Sequence, residues 1–233
     1  MATLSGVVAG VLVGGLLGRV VMRISGFTAG PALVGVTTEN GNRVGDITFG
    51  GTFALVMFVG LPFGLLGGML YAVVEPWLRR VRPWHGLAYG VALLLAFGFI
   101  VLDPNNFDFT RFGVPVLNVA MFAALFLIFG VTIGWLFDTL GSLRAGKGPA
   151  ARVVDILAWL SLVPAGLVVV LFIGGVAGLE PPLAILIVAA LLVPAVVRWR
   201  GLPQEIGYAS LAAVLLLGAA RTLSGLPDLV RGF

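Results

Sequence analysis

Apolar residues run through this chain in unbroken blocks rather than alternating or recurring on one face. The blocks fall at about 4–22, 49–74, 84–102, 114–137, 153–177, 181–197 and 206–222, each bounded by charges or by clusters of Pro and Gly. About 20 apolar residues are what an α-helix needs to cross a hydrocarbon layer. Inside lipid a helix also satisfies its own backbone polar groups. The pattern predicts an all-α, polytopic membrane bundle of about seven transmembrane helices. The first block has no basic leader and ends in Arg19 and Arg23, so it reads as a retained anchor rather than a cleaved signal. The longest interruption, 24–48, opens with an apolar stretch from Ile24 to Val36. That stretch is too short and too rich in Gly and Pro to span, and it reads as re-entrant or surface-lying.

The first four blocks carry a repeat. Asp46-Ile-Thr-Phe-Gly50 resembles Asp108-Phe-Thr-Arg-Phe-Gly113 with one inserted residue, and paired asparagines precede each, Asn40 and Asn42 then Asn105 and Asn106. One reading is a duplicated helical hairpin. The other is local: Asp and Thr recur at helix starts because their oxygens cap free N–H groups and complement the positive helix end. Three units are expected: a four-helix membrane unit over 1–140, a cytoplasmic basic linker over 141–152, and a three-helix membrane unit over 153–233.

Composition agrees with a lipid solvent, since 60% of residues are apolar and only 10% charged, against roughly a quarter charged in soluble domains. The net charge of +4 is spread in short groups with no dense basic stripe, which argues against a nucleic-acid partner. Arg79, Arg80 and Arg82, then Arg144, Lys147 and Arg152, then Arg198 and Arg200 fall on one side if every block crosses. Short basic loops face the cytoplasm. The expectation is therefore a multi-pass protein of the cell membrane with its N-terminus cytoplasmic and its C-terminus external. Arg19, Arg23, Arg43, Arg111, Arg221 and Arg231 on the other side narrow that bias.

Several chemistries are excluded by residue type. Without cysteine there is no disulfide, thiolate metal site or iron–sulfur cluster. With one histidine, His85, there is no bis-His haem within one chain, and the only lysine, Lys147, sits in a loop where no retinal Schiff base belongs. No cofactor and no metal site is expected. Gly141 to Gly148 approaches a phosphate-binding loop but lacks the hydroxyl after Lys147 and the preceding strand, so it reads as a flexible cationic linker. His85, Asp138, Asp155 and Ser142 lie near the cytoplasmic face, yet no nucleophile motif accompanies them, and His85 beside Trp84 reads as a membrane-boundary residue. Every carboxylate lies near a helix end or in a loop, which disfavours an ion-coupled pump.

Glycines recur every fourth position as Gly10, Gly14 and Gly18, as Gly60, Gly64 and Gly68, as Gly86 and Gly90, and as Gly130 and Gly134. Such stripes let helix backbones approach closely where lipid supplies no hydrophobic drive between helices. The tentative ligand-binding set is Arg19, Arg23, Glu39, Asp46, Asp103, Asp108, Arg111 and Asn118, at the external end. Arg19 and Arg23 share a face, and a guanidinium fork suits a phosphate or carboxylate. The alternative for these arginines is snorkelling to the interface or pairing with the nearby acids.

Three functions follow, in order: a noncatalytic subunit or scaffold of a membrane complex; a transporter or channel for a small solute, anion or lipid; and last, a lipid-modifying enzyme. The partners expected are the lipid bilayer, a membrane protein or a second copy of the chain, and an anionic lipid or small anion.

Overall fold

A computed structural model describes residues 1–30, 35–36, 48–102, 113–146, 148–165 and 204–231. The described residues are helical, without strands: α1 (Ala2–Thr28), α2 (Phe49–Val81), α3 (His85–Val101), α4 (Pro115–Ala145), α5 (Pro149–Leu160) and α6 (Gln204–Arg231). Four helices, α1, α2, α4 and α6, are long and apolar enough to cross a membrane. α3 is apolar throughout but has 17 residues, about 25 Å of helix, a little short of a full crossing. Of the block expected at 153–177 only the part to residue 165 is described, and the block at 181–197 lies outside the described residues. The expected re-entrant stretch also falls largely outside them, although α1 extends to Thr28.

The helix faces turned outward are apolar, with Leu16, Phe58, Trp135 and Leu216 all exposed. Exposed apolar surface on this scale is a liability in water and the ordinary state in lipid. These features are compatible with a helical membrane protein.

Glycine sets the packing. α1 and α2 run antiparallel and cross backbone to backbone: a Cβ on Gly64 would stand 2.8 Å from Gly10 Cα, and one on Gly68 would stand 2.5 Å from the Ala2 carbonyl. α3 and α4 repeat the arrangement, since a Cβ on Gly86 would lie 2.8 Å from the Gly130 carbonyl and one on Gly134 2.8 Å from Gly86 Cα. These are separations no side chain tolerates, so the stripes act as the sequence implies. α1 also lies against α4, and α6 lies along α3, with Gly218 seated on Ala96 and Leu229 packed against Leu102.

The helix ends sort into two groups. The start of α1, the end of α2, the start of α3, the end of α4 and the start of α6 share a basic end, where Trp77 packs on Gly207 and Tyr208. At the far end, Gly113 precedes α4 with φ of 82° and meets Ser25 and Thr28 of α1. Only glycine takes that backbone freely, and a Cβ there would stand 2.8 Å from the Ser25 carbonyl. Thr48 caps α2, its Oγ1 accepting from Gly51 N at 3.1 Å. Gly50 lies inside α2 whereas Gly113 lies ahead of α4.

Candidate functional site

Two features stand out, one above the other along the bundle axis. In the far half, helices α1 to α4 flank a half-open apolar cavity of about 270 Å³. Gly10, Gly14, Val59 and Gly60 form part of one wall, and Phe97, Phe122, Phe126 and Phe129 part of the other. All its lining side chains are apolar. The α1 and α2 wall is built where both helices widen into π-helical segments, Gly10–Leu17 and Val56–Gly60, which face each other through Gly15 and Val56. π-helical turns are uncommon and concentrate at functional sites.

Toward the basic end the cavity closes on Gly67, Leu70 and Leu93. Behind them stand two fully buried tyrosines, Tyr71 and Tyr89, packed edge to face with centroids 5.0 Å apart. Tyr89 donates its hydroxyl hydrogen to the Gly67 carbonyl at 2.6 Å. A polar atom sunk this deep in a membrane bundle needs such a partner.

Tyr71 begins the second feature. Its hydroxyl is 2.7 Å from Nδ1 of His85, whose Nε2 is 3.0 Å from Oδ2 of Asp138, and Oδ1 of Asp138 accepts from Arg82 Nη2 at 2.8 Å. An ionised carboxylate only accepts, so His85 carries hydrogen on Nε2; in the neutral ring Nδ1 is then the acceptor, and Tyr71 donates to it. The chain of bonds joins α2, the turn after it, α3 and α4, and passes from the buried interior to the surface at Asp138. One turn past Tyr71, buried Glu75 accepts from Arg79 Nε at 2.5 Å.

His85, expected at the membrane boundary, is buried at the basic end of the bundle. Trp84 is 68% exposed while His85 is 7% exposed, because the start of α3 turns the two neighbours to opposite sides and the imidazole finds partners on two other helices. Of the grouping with Ser142 and Asp155, His85 and Asp138 meet, while Ser142 Oγ donates to the Thr139 carbonyl and Asp155 pairs with Arg144 at 2.7 Å. Tyr71, Tyr89 and Glu75 were not singled out from the sequence. The available signal was a general one, that a hydroxyl or carboxylate within an apolar block must be partnered.

Of the tentative ligand-binding residues, Arg19, Arg23 and Asn118 are described, and Glu39, Asp46, Asp103, Asp108 and Arg111 lie outside the described residues. Arg19 follows Gly18, and Arg23 follows Met22, both cavity-lining residues. Arg23 stacks its guanidinium over Phe27 at 4.8 Å. Asn118 is buried, one turn before Phe122 of the cavity wall. Since Gly113 seats the start of α4 on Ser25 and Thr28, these residues belong to the same far end. Arg19 and Asn118 both take part in interactions, so neither is idle polar surface.

Among the described residues no group of three or more His, Asp or Glu is placed to hold a metal ion. No protein family, no curated protein and no solved structure matches this chain.

Proposed function

We propose that this chain is a noncatalytic membrane protein that takes the hydrocarbon part of a membrane amphiphile between α1, α2, α3 and α4, with the amphiphile's polar head at the far end beside Arg19, Arg23 and Asn118. The observation that carries the reading is the cavity of about 270 Å³ with no polar side chain in its lining. An enclosed apolar cavity of about 150 Å³ binds a hydrocarbon in a soluble protein, and a half-open one facing lipid is reached by hydrocarbon directly. Within a bilayer the natural occupant is a lipid chain. Arg19 and Arg23, each next in the chain to a lining residue, suit an anionic head, because the arginine fork binds phosphate and carboxylate in two-pronged fashion.

The scaffold reading is the second, supported by the glycine crossings, which make each helix pair a stiff unit with little freedom to move internally. Under either reading the basic end is cytoplasmic, consistent with Arg79, Arg80, Arg82 and Arg144 lying there.

Native mass spectrometry of the protein extracted gently from its own membrane tests both. A bound amphiphile in one-to-one ratio, lost from a Gly14→Leu variant that remains folded, supports the cavity. Gly14 is chosen because it lines the cavity and its Cβ would meet only Gly60, at ordinary contact distance. A stoichiometric second polypeptide with an empty cavity supports the scaffold.

A further inference from the structure

The cavity lining passes from buried to exposed along one seam, the one between α2 and α3. At the closed end Leu70 of α2 and Leu93 of α3 are 8% and 9% exposed. About two turns toward the far end on each helix, Phe63 is 55% exposed and Ile100 42%, and Val59, a further turn along α2, is 37% exposed. Met22, at the far end of α1, is the one other exposed residue of the lining.

The contacts between the helices follow the same gradient. The glycine crossings join α1 to α2 and α3 to α4, and each pair is locked backbone to backbone. What ties α2 to α3 is made of side chains and lies from Gly67 toward the basic end: Tyr89 to the Gly67 carbonyl, Tyr71 against Tyr89, and Tyr71 to His85. The two helices therefore meet near the basic end and part toward the far end. The gap between them is apolar on both sides, with Val59 and Phe63 facing Ile100 across the cavity mouth.

We infer that the amphiphile enters this cavity sideways from the bilayer, between α2 and α3, out of the leaflet at the far end. The inference rests on the proposed function and adds the route by which the site is filled. Entry by this cleft carries the hydrocarbon chain from lipid to an apolar lining without a passage through water. It also leaves the charged head at headgroup level, whereas entry from the basic end would draw the head through the hydrocarbon layer and past Leu70, Leu93 and the buried tyrosines. With the basic end cytoplasmic, the leaflet that supplies the site is the outer one.

The experiment follows exchange of pyrenedecanoic acid, a carboxylate-headed hydrocarbon, with the full chain in nanodiscs, read by stopped-flow energy transfer from the tryptophans of the chain to pyrene. Val59→Phe and Ile100→Phe each add a ring at one side of the mouth, on exposed positions where the packed interior is left alone. Each should slow association and dissociation together, several-fold, so that Kd moves far less than either rate, because an obstacle in a passage raises the barrier to entry and exit alike. Leu216→Phe, on a lipid-facing position of α6 outside the cavity, should change neither rate. Unchanged rates in both mouth variants, a loss of affinity carried by dissociation alone, or slowing by Met22→Phe in their place overturns the inference and leaves the cavity reading intact. Either mouth variant decides the matter if the other misfolds. Failure of the unaltered chain to bind the probe, in protein that carries no amphiphile from its own membrane, overturns the proposed function and this inference together.

Discussion

The hydroxyl of Tyr71 and Nδ1 of His85 meet at 2.7 Å across two helices, in a place both residues reach almost without solvent. His85 in turn holds Asp138, so the ends of α2, α3 and α4 are tied by side chains where the glycine crossings leave off. The closed end of the cavity lies directly behind this tie, through Leu70 and Tyr71, neighbours on α2.

Tyr71→Phe removes the donor and leaves Nδ1 of His85 buried and unpaired. A loss of about 1 kcal/mol in reversible unfolding from mixed micelles is expected, within the range for hydrogen bonds between membrane helices. A double-mutant cycle with His85→Phe should show coupling of similar size. Zero coupling would mean the bond contributes nothing net.

Glycine positions of the two facing stripes should differ sharply. Gly64→Ala drives a methyl into Gly10 and the Gly6 carbonyl, and should cost about 2 kcal/mol or more, or abolish folding. Gly14→Ala meets Gly60 Cα at 3.4 Å, and should stay within about 0.5 kcal/mol of the unaltered chain. Equal effects in the same unfolding assay would contradict the close crossing.

The ion pairs at the basic end should not be equivalent. Arg82 and Asp138 are 53% and 44% exposed, so Arg82→Gln should cost less than about 1 kcal/mol, and less still in high salt. Arg79→Gln leaves the Glu75 carboxylate, 8% exposed, without its partner and should cost more. Adding Glu75→Gln to that variant should recover most of the loss, and stability measured for all three variants at two salt concentrations decides the matter.

The absence of cysteine makes topology simple to measure, because a single introduced thiol has no background. Ser142→Cys, at the basic end, should react with a membrane-impermeant maleimide only from the cytoplasmic side. Gly50→Cys, near the far end of α2 with open space around it, should react only from outside. Reaction of both from one side would refute the crossing of α2 and α4; exchanged sides would invert the orientation.

Much of the architecture was readable from runs of residue type. Block length marks membrane helices because the thickness of the hydrocarbon layer is a fixed ruler, and four-residue glycine spacing marks close crossings because it keeps bare backbone on one stripe. Arg19 and Arg23 mark the outer end of the first apolar block for the same local reason. None of these signals carries information on which helix meets which. Tyr71 and Tyr89 are ordinary members of apolar blocks in one dimension, and His85 sits beside an exposed tryptophan. The chain of bonds through His85 arises only when α2, α3 and α4 bring their ends together, and the cavity only when α1 and α2 are set against α3 and α4. Propensity and periodicity act within a helix, whereas a buried imidazole's partners and a void's lining are properties of the packing between helices, and that the tertiary structure alone decided.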